Sequence, residues 1–343
     1  MIIQCNSVKI RGELLPIFNE NAWVSAVIPT HNRAGILPDA LDSVWQQTYR
    51  PIEMIVIDDG SEDDTQAVVQ QWAEKCKDDA AFTVHYSYQE NKGANAARNK
   101  GIAAATGEYV AFLDSDDRWM PDKLAKQVAV FQKESALGDV YCGLYHIDLK
   151  SNTRLDDAQV NYPSGWLLRS LLIHDVTTPT SCHVVKKDCF ERVGFFDETL
   201  PARQDWDMWI RVASKYKIGY VPEVLVEQRE HAGSRVRSNP MNEIQAARQI
   251  FQKYAYLRRQ FPFWIGLAAR SAMYRRRGRV YFHRGLSVRK AFGFHLLAIC
   301  VWPFAFDSYA ALTGMLLPSR LRQRIHVAWN KIFGKTFLAI RSH

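Results

Sequence analysis

Residues 107–117 read Gly-Glu-Tyr-Val-Ala-Phe-Leu-Asp-Ser-Asp-Asp. A turn residue leads into five apolar residues, 109–113, and these end on three carboxylates, Asp114, Asp116 and Asp117. An unbroken apolar run of this length predicts a strand buried on both faces. Carboxylates need water, partners or a metal. A strand built this way holds its acids at the rim of a sheet, and open α/β sheets bind their ligands outside the carboxyl ends of the strands. Asp114 and Asp116, with Ser115 between them, are spaced to share one hard divalent cation, which prefers carboxylate and phosphate oxygens. The plainer alternative is a strand that stops in a solvated polar turn.

The residues upstream repeat the same plan. Residues 24–29 predict a first strand, stopped by Pro29 and followed by the loop Thr30-His31-Asn32-Arg33. Ile36, Leu37, Ala40, Leu41, Val44 and Trp45 recur at helical spacing. A second strand over 52–57 ends on Asp58-Asp59-Gly60-Ser61, a helix begins at Thr65, and a third strand covers 82–88. Asn91-Lys92-Gly93 then turns into an alanine-rich helix over 94–105. Strands alternating with helices imply βαβ units: an α/β, Rossmann-like, mostly parallel central sheet flanked by helices. Two strands therefore carry acids to one edge. Neither G-x-G-x-x-G nor G-x-x-x-x-G-K-[ST] occurs, so a nucleotide site here is of another kind. In it Asp58 and Asp59 would accept hydrogen bonds from a base or ribose; alternatively they form an Asx turn before the next helix. Arg98 suits a base or phosphate contact, or is a solvated helix residue.

Charge divides the chain. Residues 241–343 carry 18 Lys and Arg against Glu243 and Asp307 alone, while the other 240 residues hold 26 basic and 34 acidic side chains. The basic part therefore wants an anionic partner. It has a helical stripe (Ile244, Ala247, Ile250, Phe251, Tyr254, Leu257), an arginine cluster over 275–279, and a 16-residue uncharged run from 291 to 306 that contains His295 and Pro303. That run is short of the roughly 20 residues that span a bilayer. A basic, helical C-terminal extension that lies on a membrane surface through 275–341 is the expectation; a soluble helical subdomain is the alternative. The six cysteines form no C-x-x-C pair, which argues against a zinc site and suits a reducing cytosol. Residues 1–23 lack a signal-peptide core. The expected location is cytoplasmic, peripheral at the inner face of the membrane.

Taken in order, Val27-Ile28-Pro29-Thr30-His31-Asn32-Arg33, Ile57-Asp58-Asp59-Gly60-Ser61, residues 91–99 and Phe112-Leu113-Asp114-Ser115-Asp116-Asp117 resemble successive motifs of the family 2 glycosyltransferases. Downstream, Thr178-Pro179-Thr180-Ser181, Gly194-Phe195-Phe196-Asp197-Glu198, Gln204-Asp205-Trp206-Asp207-Met208-Trp209-Ile210-Arg211 and Arg229-Glu230-His231-Ala232-Gly233-Ser234 continue the resemblance, which covers about residues 23–235. The family implies a GT-A fold and inverting transfer from a nucleotide-diphosphate sugar, UDP-linked by preference, to a saccharide or lipid-linked acceptor in cell-surface polysaccharide or glycolipid assembly. It implies that Pro29, Thr30, Asn32, Arg33, Asp58, Asp59, Asn91, Gly93, Arg98, Asp114, Ser115 and Asp116 bind the donor. Mn²⁺ or Mg²⁺ would sit on Asp114 and Asp116, completed by His231. Asp205 matches the general base. Gln204 stands where the family carries an acid, which removes one charge beside that base. Thr180 and Trp206 are acceptor-side candidates, Trp206 being otherwise a core residue. The implied domains are an N-terminal extension (1–22), the glycosyltransferase domain (23–238) and the helical basic region (239–343).

Two other classes fit parts of the sequence. A nucleotidyltransferase also joins an α/β fold to metal-binding acids, but has no need of the Asp205 segment. An RNA-binding protein would use the arginine cluster, yet no RRM or KH signature accompanies it and the acid-tipped edge repels nucleic acid, so no nucleic-acid partner is expected.

Overall fold

The computed structural model describes residues 7–10, 13–16, 22–148, 151, 153–155, 160–230 and 239–316. It divides into two compact units. The first takes in Met1–Val160, Thr180–Arg192 and Gly219–Arg229; the second takes in Asn161–Pro179, Val193–Ile218 and Glu230–His343.

In the first unit, strands β1 (Ser7–Ile10) and β2 (Glu13–Pro16) form an antiparallel pair. There follow β3 (Val24–Thr30), α1 (Leu37–Trp45), β4 (Ile52–Asp59), α2 (Thr65–Ala73), β5 (Phe82–Gln89), α3 (Ala94–Ala104), β6 (Tyr109–Phe112), β7 (Arg118–Trp119), α4 (Lys123–Lys133), β8 (Leu137–Asp148), β9 (Thr153–Arg154), β10 (Val184–Lys186) and β11 (Lys217–Glu230). One sheet runs in the order β5-β4-β3-β6-β10-β8-β11-β7, with β9 paired to β8. The pairs β4–β5, β3–β4 and β3–β6 are parallel, as the alternation of strand and helix requires. From β10 onward antiparallel pairs appear: β10 with β6 and β8, and β11 with β7. The sheet is thus parallel over its first four strands and mixed beyond them. It is an α/β architecture with the sheet flanked by helices.

Every residue of β3 and of β4 is buried, which explains their unbroken apolar runs. Three acids of β4 are buried among them, Glu53 within the strand and Asp58 and Asp59 at its end. Glu53 accepts from Ser25 Oγ at 2.6 Å and from the Thr106 backbone and hydroxyl at 2.9 and 3.0 Å. Ser25 Oγ in turn accepts from Gly107 N at 2.9 Å. The carboxylate therefore fastens β3 and β4 to the turn that launches β6, and its oxygens are satisfied. The parallel register pairs Thr30 with Asp58 and Val27 with Phe112, so the three strands release their C-terminal residues along one edge.

In the second unit, α5 (Gln204–Ala213) presents Trp206, Met208, Trp209, Ile210, Val212 and Ala213 to its core. Helices α6 (Pro240–Lys253), α7 (Phe263–His283), α8 (Val288–Val301) and α9 (Phe306–Leu316) follow. The uncharged run of the sequence is thus broken at Trp302 and Pro303 into two helices. The 14 residues of α8 make a rod of about 21 Å, short of the roughly 30 Å hydrocarbon core. No helix among the described residues is long and apolar enough to cross a membrane. His295, fully buried on α8, lies against Gly278 of α7, where a Cβ would meet its ring at 2.6 Å.

Helix α3 lies just as closely on β3: a methyl group at Gly101 would overlap the Val27 side chain. Gly101→Ala should therefore destabilise the first unit by about 1–3 kcal/mol, the usual cost of overpacking. Thermal unfolding followed by circular dichroism measures it; an unchanged melting temperature would show that α3 can move off the sheet freely.

Candidate active site

The common edge of β3, β4 and β6 carries three loops that are tied to one another. Asn32, held at φ +52°, receives a hydrogen bond on Oδ1 from Glu62 N and donates its own N–H to Ser61 Oγ, both at 2.8 Å. Arg33 N donates to Thr65 Oγ1 and Ala34 N to Asp63. Gly60 has φ +80°, and a Cβ there would stand 2.8 Å from Asn91 N, so the loops after β4 and β5 can touch only because this position is glycine.

Asp58 and Asp59 are buried and occupied. Asp58 accepts from Ser61 N at 2.8 Å and from the Tyr86 hydroxyl at 2.7 Å. Asp59 accepts from Gln89, Lys92 N and Gly93 N, each at 2.8 Å. The two acids that the sequence offers for the nucleotide shape the loops around it, and one of them forms the Asx-type turn. Thr30, at the end of β3, keeps a buried hydroxyl that has no hydrogen-bond partner among the described residues. Pro29 is buried beside it, while Asn91 and Gly93 are exposed.

The end of β6 is where charge concentrates. Asp114 is ion-paired with Arg98, whose other terminal nitrogen donates to Asn95 at 3.1 Å. Asp114 and Asp116 are half-exposed; Ser115 and Asp117 are buried. Asp117 accepts from Ser181 Oγ at 2.6 Å and from Arg229 N at 3.2 Å, and Ser181 Oγ also accepts from Asp114 N at 3.1 Å. Burial, and after it the charges of Asp116 and Asp114, push the Asp117 carboxyl well above the usual carboxylate range. The Arg229 guanidinium is bonded to Asp39. Sequence reasoning passed over Ser181 and Asp117 as site residues. The signal for Asp117 was its place in the acid run; Ser181 adjoins the buried Thr180 on a 3₁₀ turn, Thr180–Cys182, that only the fold brings to β6.

Among the described residues no group of three or more His, Cys, Asp and Glu is placed to hold a metal ion. Mg²⁺-type ions need no such cage: one or two carboxylates plus substrate phosphates suffice. The half-exposed pair Asp114 and Asp116 fits that mode, and the repulsion they exert on Asp117 is what a dication would relieve. His231 lies outside the described residues.

In the second unit, Asp205 sits in the first turn of α5 and is half-buried, one oxygen accepting from Trp206 N at 2.8 Å. The helix begins one residue earlier with Arg203 at the N-cap, so Asp205 is not the cap. Asp207 is fully buried and bound by Arg211 at 3.0 Å and by Lys253 and Tyr254 at 2.8 Å each. Arg211 goes on to Gly194 O and Phe195 O at 3.0 and 2.8 Å. The Asp207–Arg211 pair therefore clamps the Gly194 turn, and of the two acids only Asp205 has a carboxylate open to a substrate. Gln204 is satisfied by Leu200 O at 2.7 Å. Trp206 is buried, its N–H on Leu171 O at 2.9 Å and the Arg276 guanidinium 5.3 Å over its ring, which makes it a packing residue here.

Comparison with known proteins agrees with this architecture. Residues 25–194 match Glycosyl transferase family 2. An uncharacterized glycosyltransferase of Rickettsia typhi is 32% identical over 241 residues, covering 67% of this chain and 71% of that protein. TuaG of Bacillus subtilis, named for teichuronic acid biosynthesis, is 34% identical over 213 residues, 62% of this chain and 80% of TuaG. Among solved structures, Staphylococcus aureus TarS 1–349 in complex with UDP-GlcNAc superposes with a TM-score of 0.59 at 18% identity, over 90% of this chain and 87% of that one. The mannosyltransferase PcManGT of Pyrobaculum calidifontis, in complex with GDP-Man and Mn²⁺, gives 0.56 at 20% identity, over 94% and 88%. At such identities the two structures share the fold, GT-A. On its sequence relatives, this chain belongs to glycosyl transferase family 2.

Proposed function

We propose that the protein is an inverting glycosyltransferase that moves a sugar from a nucleotide-diphosphate donor to an acceptor hydroxyl in the assembly of a cell-surface polysaccharide or glycolipid. The observation that carries this reading is the pair of half-exposed acids, Asp114 and Asp116, at the end of a buried strand, on the edge that also carries the buried Asp58 and Asp59. The UDP-GlcNAc of TarS supports a UDP-sugar, and the name of TuaG supports a saccharide polymer. Pro29, Thr30, Asn32, Arg33, Asn91, Gly93, Arg98 and Ser115 would line the donor, with Asp58 and Asp59 holding the loops in place. A bound Mn²⁺ or Mg²⁺, on Asp114 and Asp116, would supply Lewis-acid charge opposite the diphosphate. Asp205 takes the proton from the attacking hydroxyl, and such general-base catalysis contributes about 10²–10⁴-fold. One direct displacement inverts the anomeric centre.

A screen of nucleotide sugars for Mn²⁺- or Mg²⁺-dependent release of nucleoside diphosphate tests the activity. With the donor so found, Asp116→Ala should abolish transfer while the melting temperature holds, and EDTA should do the same to the wild type. Full activity in excess EDTA removes the metal from the reading. Asp205→Asn keeps the shape and loses the proton acceptor; turnover should fall by roughly 10²-fold or more with donor affinity little changed. A variant with full turnover would move the base elsewhere, and not to Asp207, whose carboxylate is spent on the Arg211 clamp.

The second unit is proposed to lie on an anionic membrane surface. Phe263 is 81% exposed and Phe304 60%, and Leu286, Val288, Leu296 and Leu297 are exposed near them in sequence, among the exposed cations Arg284, Arg289 and Lys290. Phe294, by contrast, stacks on Tyr281, and Trp302 on Trp264. The basic tail beyond residue 316 lies outside the described residues. Full-length protein should co-sediment with anionic vesicles more than with neutral ones, and salt should release part of it. Protein that stays in solution with anionic vesicles at low salt would leave these side chains to another partner.

A further inference from the structure

The second unit holds an open cavity of about 770 Å³, within the size range of ligand pockets. Four arginines line it: Arg203, Arg275, Arg276 and Arg279. They come from two distant stretches, the turn before α5 and one face of α7. Three carboxylates line it as well. Arg203 lies 3.8 Å from Asp175 and 3.6 Å from Glu243, and Arg275 is 2.7 Å from Asp307. Four cations against three anions leave one positive charge over.

That surplus charge is poorly solvated. Nη1 of Arg276 and Nε of Arg275 are buried without a hydrogen-bond partner among the described residues. A guanidinium carries five N–H donors, and leaving one buried and unmet costs about 1–3 kcal/mol. Burial first, then the repulsion of Arg203, holds the Arg276 guanidinium down to about 10. Arg203 itself stands at φ +60°, a left-handed conformation that a residue with a side chain adopts at a cost of about 1–2 kcal/mol. An unmet donor, an uncompensated charge and a strained backbone on one cavity wall are together the marks of a site built for a ligand.

The proposed base, Asp205, does not line the cavity but acts on its wall. Asp175, on its wall, is raised above the ordinary carboxylate range by burial and then by the charge of Asp205, and Arg276 covers the ring of Trp206, the next residue. Asp205 is thus linked to the wall through Asp175 and Trp206.

We propose that this cavity binds a singly charged oxyanion of the acceptor, a uronate carboxylate or a phosphodiester, through Arg276 and Arg279, and so fixes the neighbouring hydroxyl at Asp205. The proposal rests on the reading of Asp205 as the base. With Asp175, Glu243 and Asp307 ionised, the four arginines leave one positive charge on the lining, which a monoanion would neutralise. Arginine suits either oxyanion, because its planar fork meets two oxygens at once.

The test is NMR titration of the full-length protein with three probes: methyl glucuronide, diglycerol phosphodiester and uncharged methyl glucoside. At least one anion should bind about tenfold or more tightly than the glucoside, the ratio that one charge-assisted hydrogen bond gives. The anion that does so identifies the acceptor chemistry. Arg276→Gln should abolish the preference. Because removing a buried arginine can disturb the fold, Arg279→Gln, at an exposed rim position, serves as the second variant and should weaken anion binding several-fold. Anion binding should persist in saturating UDP. Equal binding of all three probes, no binding of any, an unchanged preference in both variants, or displacement by UDP would each overturn the proposal. If UDP fails to bind with Mn²⁺ present while the anion preference and its loss in the variants hold, the donor reading falls and the anion site stands.

Discussion

Three carboxylates within four residues repel one another, and the first unit is arranged around that repulsion. Asp114 is answered by a cation, Arg98. Asp117 is answered by neutral donors, Ser181 Oγ and Arg229 N, and is pushed toward its protonated form by burial and by its two neighbours. Asp116 is left half-exposed between them. To deliver these partners, the 3₁₀ turn at Ser181 must reach the end of β6, and β11 must end beside it at Arg229. The antiparallel half of the sheet does this: β10 pairs with β6, and β11 with β7 just past the acids. The topology beyond the parallel strands is thus tied to the electrostatics of one strand end.

Burial separates the acids that build from the acids that can react. Asp58, Asp59 and Asp207 have the same chemistry as Asp116 and Asp205, yet each has spent its lone pairs on two or three protein donors. A carboxylate so occupied is a fixed strut, since removing any one donor leaves an unmet buried charge. Asp114, Asp116 and Asp205 keep partial exposure. Asp205-Trp206-Asp207 places both kinds together: the buried Asp207 fixes the backbone of the turn that carries the partly exposed Asp205.

Much of this was legible in the chain. Strands buried on both faces read as unbroken apolar runs, so β3, β4, β5 and β6 fall within two residues of their expected bounds, as does α1. Helix α3 was legible from its alanines, though not its contact on Val27, which depends on the absence of a side chain at Gly101. The strands β8 and β11 were not legible, because they mix polar and apolar residues without strict alternation and take their places in the sheet through long-range pairings, β8 with β10 and β11 with β7. Nor was the buried pair His183–Asp139, at 2.8 Å, which joins the residue before β10 to β8. Trp206 shows the limit of local reading: its spacing fits both a core residue and a sugar platform, and only its bond to Leu171 O separates the two.

The basic excess of the last hundred residues raises the same question of inside and outside. Read as a sequence, the arginine cluster at 275–279 looks like one surface patch. In the fold α7 distributes it: Arg275 and Arg276 turn inward and lose water, and burial lowers both below the ordinary arginine value, while Arg279 stays exposed. A buried guanidinium cannot attract a lipid headgroup across the protein, and an exposed one is screened within about 8–10 Å by physiological salt. The positive charge of this region is thus split between a pocket wall and an outer face. On the two proposals made above, Arg276 with the rim residue Arg279 would set what the cavity accepts, and Arg284, Arg289 and Lys290 would set what surface the unit rests on. A net charge read from composition measures their sum, and it is the direction of each side chain that divides it.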